Sequence, residues 1–348
     1  MTAEPPSRRT PRPQSVDDVV DPGVARGSLA AALRPGRRNW DDIADDHELA
    51  CPASARPYVL SLIAERSNPL LVVTPRLADA DAMADDLAAY LGKDRVAVMP
   101  PWETLPYERL SPEPQTVGRR LSILDRLLHG TDGEDRLVVI VAPVRAVLQP
   151  MDVRLAERRP LRLGLGPANF DEIAVRLAEL GYSRTPQVTT RGEYAVRGGI
   201  IDVFPTAGDH PVRFEFFGDD IDSIRLFGIA DQRSISAADQ IQIDPARELV
   251  IDNQLRARAR HAIDTLPQFA GDLDRLAEGE TFEGVESLAL MLAEQPALLV
   301  DFLPPTSGVV LVDPVLLEER ANKLVAEAQI LAETAWGTPG GIAASPAS

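Results

Sequence analysis

Cysteine is almost absent from this chain. Cys51 is the single thiol in 348 residues, so no internal disulfide can form and no set of thiols is available for a metal site. Lysine is nearly as scarce: of 36 basic residues, Lys93 and Lys323 are the only lysines. That skew fits a high-GC genome better than any function. A net positive charge is missing as well. The formal charge is −17, and a chain that grips DNA on its own needs a basic footprint to neutralise phosphates. No apolar run approaches the ~20 residues that span a bilayer. The first residues, MTAEPPSRRTPRPQ, lack the apolar core of an export signal. A cytoplasmic protein with no membrane partner is expected.

The 45% of apolar residues is enough for real cores, and the length suggests two or three domains. Residues 1–44 are rich in Pro, Arg and Asp without sustained periodicity and read as a flexible arm. Residues 337–348, GTPGGIAASPAS, read as a disordered tail. From 45 to 159 helix and strand alternate. LLVVT (70–74), VAVMP (96–100) and LVVIVA (137–142) are short apolar strands. Residues 76–92, 116–130 and the run PASARPYVLSLIAER are amphipathic helices. Strands apolar on both faces point to a parallel sheet covered by helices, and the pattern resembles a RecA-like helicase fold. Residues 160–238 read differently: PLRLGLGP alternates, ANFDEIAVRLAELGY is a helix capped by Asn169 and stopped by Gly181, and a strand meander follows. Residues 239–336 are expected to return to the first sheet through an acidic helical stretch, the strands PALLVDFLP and GVVLVD, and a long helix over 313–336. The expected fold class is α/β: a degenerate RecA-like parallel sheet flanked by helices, with a small inserted α+β domain.

A motor of that class needs a phosphate loop, G-x-x-x-x-G-K-[ST], whose backbone N–H groups and lysine hold the phosphates. None is present. Ahead of the first helix the chain reads CPASARPYVL, with no glycine or lysine, and Pro57 removes a donor. Arg56 is the one residue there with the charge to touch an anion. Gly92-Lys93 ends a helix instead of starting one. DDHE at 45–48 reads as a solvated helix start, not a metal motif. The histidines His47, His129, His210 and His261 are scattered, and no Ser-His-Asp or Cys-His arrangement follows from the spacings. No catalytic residue, metal or cofactor is expected on this chain.

Three other features carry weight. WETLPYERLSP gathers Trp102, Pro106, Tyr107 and Pro112. It reads as a rigid loop over sheet ends, with a surface platform as the alternative. Asp219, Asp220 and Asp222 read as solvated turn and strand carboxylates, with a cation site as the alternative. In the strand Pro211–Phe217, a regular alternation sends Val212, Phe214 and Phe216 to one face. Arg213, Glu215 and Phe217 go to the other, which puts Phe217 on the polar face beside Arg213. An aromatic next to an arginine is a typical hot spot; the opposing reading folds Phe217 back onto the core.

The stretches GEYAVRGGIIDVFP, PVRFEFFGDDIDSIRLF and DQRSI, with PPWETLPYERLSPEPQTVGRRLSILDRLL upstream, resemble the amino-terminal UvrB-like module of the bacterial transcription-repair coupling factor (Mfd). The two blocks stand in family order, and the resemblance runs from about Asp45 to about Trp336. VVTPRLADADAMADDL is similar to helicase motif Ia. The resemblance implies a pseudo-helicase scaffold with a UvrA-binding inserted domain, non-catalytic on its own. Arg197, Arg213 and Phe217 match the family's partner-binding positions. For Arg197 an intramolecular pair with Glu193 or Glu215 is the alternative. The whole protein so resembled is an ATP-dependent DNA translocase that also meets RNA polymerase and double-stranded DNA. The competing expectation is a UvrB-like ATP-dependent helicase or damaged-DNA-binding protein. Against it stand the missing phosphate loop and the absence of a Tyr-rich hairpin of the kind UvrB uses on DNA.

Overall fold

The computed structural model describes residues 48–105, 108–130, 136–293 and 295–336. The expected arm 1–44, the tail 337–348, Asp45 to His47 of the DDHE run, and Pro106 and Tyr107 lie outside them.

The first unit runs α1 (Arg56–Ala64), β1 (Leu70–Thr74), α2 (Leu77–Leu91), β2 (Val96–Val98), α3 (Pro114–His129), β3 (Val139–Pro143), the short helix α4 (Val144–Leu148) and β4 (Met151–Asp152). β1 and β3 are buried along their whole length, as apolar strands covered on both faces must be. The inserted unit follows: β5 (Leu161–Gly164), β6 (Gly166–Pro167), α5 (Phe170–Glu179), β7 (Ser183–Arg184), β8 (Glu193–Arg197), β9 (Ile200–Val203), β10 (Val212–Phe217), β11 (Asp220–Phe227), β12 (Ser234–Ala237) and β13 (Gln240–Ile243). Three helices come next: α6 (Asn253–Ala262), α7 (Ala270–Glu278) and α8 (Val285–Met291). The chain then returns through β14 (Pro296–Ala297), β15 (Gly308–Leu311) and α9 (Pro314–Trp336).

The four long strands of the first unit make a parallel sheet in the order β15-β1-β3-β2. On one face Leu60, Ala64, Ala80, Leu87 and Leu91 of α1 and α2 pack on Leu70, Val72 and Val141. On the other, Val117, Leu121 and Leu124 of α3 and Leu317 and Leu324 of α9 cover Leu71, Val73 and Ile140. The inserted unit is a largely antiparallel sheet, β12-β11-β10-β9-β8-β7. Ile173 and Leu177 of α5 pack on its Tyr194, Ile201, Phe214 and Ile224. The α/β class with a parallel sheet, flanking helices and an added antiparallel unit therefore holds.

Local signals were obeyed closely. Asn169 caps α5, its Oδ1 accepting from the backbone N–H of Asp171 and Glu172, and Gly181 follows the helix at φ +88°, a conformation that favours glycine. PALLVDFLP departs from expectation. Only Pro296 and Ala297 pair, with β4, and Leu299–Phe302 is a 3-10 turn closed by Asp301 accepting from the Leu298 N–H. Pro296 itself lies in the paired dipeptide, and Pro304 and Pro305, which cannot donate to a ladder, bound the run beyond the turn. The strand over PLRLGLGP forms, but β5 pairs with β13 in a separate two-stranded ribbon, so pairing in the inserted unit continues past 238. Helices α6 to α8 enclose a core of their own around Leu255, Leu273, Leu276, Val285 and Leu288.

Helix α3 is the wall between body and insertion. A Cβ placed on Gly118 would meet Thr206 Cβ at 2.5 Å and Ala207 N at 2.8 Å, so only glycine admits this approach. Two residues on, Arg120 is wholly buried. Its Nε reaches Glu248 Oε1 at 2.5 Å and its Nη1 donates to the Pro100 carbonyl at 2.9 Å. Trp102 Nε1 donates to the same carboxylate at 3.1 Å. Farther along, Asp125 meets Arg159 and Arg162 at 3.1 and 3.2 Å. A buried charge persists only when paired and hydrogen-bonded, and here the partner of Arg120 comes from the segment that follows β13 out of the inserted unit.

Candidate functional site

Two hairpin tips meet at one end of the inserted sheet. β8 turns into β9 through Gly198 and Gly199, and β10 turns into β11 through Gly218 and Asp219. Gly198 and Gly218 hold φ of +56° and +61°, which tight hairpin turns require. Because β9 and β10 are antiparallel, with Glu215 opposite Ile200, the end of β10 lies beside the start of β9. The Phe216 N–H donates to the Gly199 carbonyl at 2.8 Å, which ties the two tips together.

Phe217 is at this end, opposite Asp220, and is 82% exposed. The reading that folds it back onto the core is excluded. Its exposure has a local cause. The register shift between Glu215 and Phe216 leaves the extra residue, Asp222, on β11, so β10 keeps its alternation to its end. Phe216 takes the inward place, edge-on to Phe170 with centroids 5.0 Å apart, and Phe217 is left in solvent.

Arg197 ends β8 at the same place and is exposed. Its Nε donates to the Pro186 carbonyl at 2.9 Å, and Nη2 donates to the same oxygen. It pairs with neither Glu193 nor Glu215. Glu193 instead accepts from Thr189 and Thr190. Burial pushes that carboxyl up, but these hydrogen bonds outweigh it and hold it below its ordinary range.

Arg213 corrects the expectation that it lies beside Phe217. It sits near the opposite end of β10, across from Asp202 on β9 and Arg225 on β11, roughly 13 Å along the strand from Phe217. Its guanidinium is engaged. Nε and Nη2 donate to the two Asp202 oxygens at 2.7 and 2.8 Å, and Nη2 also meets Gln232 Oε1 at 3.3 Å. The plane lies 4.7 Å from the Phe227 ring centroid. The hydrogen bonds it donates to Asp202 hold its pKa above the ordinary arginine value. The strand-alternation argument missed Asp202 because it sits between Ile201 and Val203, where only the register of β9 against β10 reveals its partner.

The other candidates resolve simply. Trp102 and Pro112 are buried, which agrees with a packed loop. Asp219, Asp220 and Asp222 are exposed, and among the described residues no cluster of His, Cys, Asp or Glu is arranged to hold a metal ion. At the start of α1, Arg56 forms a bidentate pair with Asp313 at 2.7 and 2.9 Å. Those hydrogen bonds raise its pKa. Ala55 precedes the helix without a side-chain cap. Among the described residues no helix is long and apolar enough to cross a membrane.

The antiparallel sheet thus offers an exposed aromatic, Phe217, at a hairpin tip, with the exposed Arg197 at the same end of the sheet. Residues 166–249, which cover that sheet, match the UvrB interaction domain family. Over a wider span the chain is similar to transcription-repair-coupling factors. It is 44% identical to that of Mycobacterium bovis over 306 residues, 84% of this chain and 25% of that protein. It is 33% identical to the Bacillus subtilis protein over 294 residues, 79% and 25% of the two chains. With the Escherichia coli protein it shares 31% over 194 residues. The likeness to the coupling-factor module read from the motifs therefore holds, and the chain spans about a quarter of the length of the relatives it matches.

Proposed function

We propose that this chain is the docking module through which a transcription-coupled DNA repair factor recruits UvrA to stalled RNA polymerase. The observation that carries the proposal is Phe217, 82% exposed at a hairpin tip and at the same end of the sheet as Arg197, two strands away, inside the part of the chain that matches the UvrB interaction domain. A water-facing ring of this kind gains by desolvation against a partner, and a guanidinium at the same sheet end selects planar acceptors. Arg213 contributes by holding β9 and β10 in register and by the edge of its guanidinium that Asp202 leaves free. The chain is non-catalytic in this reading and holds no cofactor. ATP, RNA polymerase and double-stranded DNA belong to the whole protein, which is cytoplasmic. The Arg56–Asp313 pair at the start of α1 supports the reading, because the side chain with the charge to meet a phosphate there already has a carboxylate.

A titration of purified UvrA against the wild-type chain, Phe217→Ala and Arg197→Ala tests it. Truncating a hot-spot aromatic costs about 2–4 kcal/mol, so Phe217→Ala is expected to weaken binding at least tenfold, and Arg197→Ala less. Undiminished binding in both variants overturns the assignment.

A further inference from the structure

Three consecutive residues leave the inserted unit with their grips on three different parts of the molecule. Arg247 Nη1 reaches Glu286 of α8 at 2.5 Å, which ties the returning segment to the three-helix cluster. The Glu248 side chain turns the other way, into the body, where Arg120 of α3 and Trp102 hold it. The carbonyls of Arg247 and Leu249 accept from Arg158 Nη1 at 3.0 and 2.5 Å. Arg158 lies on the outgoing linker, just ahead of β5. Its Nη2 donates to the Glu179 carbonyl at 2.7 Å, at the C-terminal end of α5, where the helix dipole favours a cation.

Arg158 is unusual for an arginine. Its partners are backbone carbonyls, and among the described residues no carboxylate pairs with it. Burial pulls its pKa down to about 10, and Arg176 nearby adds repulsion; it stays cationic at neutral pH. A partly buried guanidinium without a counterion is costly. It persists here because its planar fork satisfies three carbonyls from two chain segments at once, which a lysine's point charge cannot do. The outgoing linker, the helix of the inserted unit and the returning segment are thus pinned to one side chain.

We infer that Arg158 and the tripeptide Arg247-Glu248-Leu249 form a fixed joint that sets the angle of the inserted sheet on the body. The two linkers of an insertion ordinarily permit hinge motion. Here both are clamped, and the face bearing Phe217 is presented in one orientation. Arg158 is the positioning residue between insertion and body, and Arg247 separately positions the helical cluster. The inference is independent of which partner docks.

Distance distributions between spin labels test it in the full chain with Cys51→Ser. Labels at Asp85→Cys in α2, Val175→Cys in α5 and Asp274→Cys in α7, all exposed positions, report on body, insertion and helical cluster. The parent should give one narrow 85–175 distance. Arg158→Met should widen that distribution at least twofold, and Arg158→Lys, which keeps the charge without the fork, by about half as much. Arg247→Met should leave 85–175 narrow and widen only 175–274. Parental 85–175 width in Arg158→Met, or in Arg158→Lys should the methionine variant not fold, overturns the inference. So does equal widening of both label pairs by both substitutions, which would mark general loosening instead of separate grips.

Discussion

Arg213 and Asp202 face each other fork to fork across β10 and β9, with both oxygens of the carboxylate occupied at 2.7 and 2.8 Å. Asp202 is buried while Arg213 is only partly so, and the two residues are cross-strand partners in the register. Removing the arginine strands a buried carboxylate, the costly way to break such a pair. Arg213→Ala is therefore expected to lower stability by about 2–4 kcal/mol, and Phe217→Ala to change it by less than about 0.5 kcal/mol. Denaturant titration of each variant checks both numbers. The Arg213→Ala/Asp202→Ala double variant should lose less than the sum of the single losses. Additive losses would show that the pair is not coupled. The consequence for function is direct: weaker partner binding by Arg213→Ala reports on sheet integrity as well as contact, whereas Phe217→Ala reports on contact alone.

The close approach of α3 to Thr206 gives a second prediction. A methyl on Gly118 collides with Thr206 Cβ and Ala207 N, and the latter is backbone that cannot rotate away. Gly118→Ala ordinarily stabilises an exposed helix by up to about 1 kcal/mol. Here overpacking should reverse the sign and cost about 1–3 kcal/mol. Thermal unfolding decides: a raised midpoint would mean that the insertion does not seat on α3.

Asp244 gives a prediction about pH. It is buried, and burial pushes its carboxyl up to about 6 from an ordinary 3.8, against the pull of Gln242 and Arg162 and with a push from Asp125. The folded chain therefore binds this proton more tightly than the unfolded chain. Its contribution to stability is fully present below about pH 4, falls as pH rises through about 6, and is constant above that. Two pKa units correspond to about 3 kcal/mol, an upper bound. Asp244→Asn keeps an oxygen to accept from Gln242 Nε2, which now lies 2.9 Å from Oδ1, and removes the charge. It should be more stable than wild type near pH 7.5 by about 1–3 kcal/mol and equal to it near pH 4. Urea unfolding at the two pH values tests this; a difference independent of pH would exclude the mechanism.

Much of this molecule was legible in the chain because its signals are local. The run LLVVT is apolar at every position and became a strand buried on both faces over the same five residues. Asn169 and Gly181 bracket α5 through their own backbone and side-chain chemistry. What the sequence hid depends on register and on partners far along the chain. Strict alternation put Phe217 with Arg213, but the two stand four residues apart along β10 and Arg213 is taken up by Asp202 on β9, a partner that nothing in PVRFEFFGDD marks. Nothing in PARELV marks Glu248 as buried. Its burial against Arg120, 128 residues earlier, appears only once α3 and the segment returning from β13 are side by side. The strand expected over PALLVDFLP is reduced to Pro296 and Ala297, because Leu299–Phe302 closes as a 3-10 turn.

Helix α3 presents Gly118 to one neighbour, Arg120 to another and Asp125 to a third, and all three neighbours lie beyond residue 158. The insertion is therefore not a removable cassette. Excised, it would leave behind an empty notch, an orphaned guanidinium and a bare carboxylate on the parent helix. Transplanted, it would arrive without the surface that receives it. Any lineage that exchanged this unit for another had to rewrite one helix of the host in the same stroke.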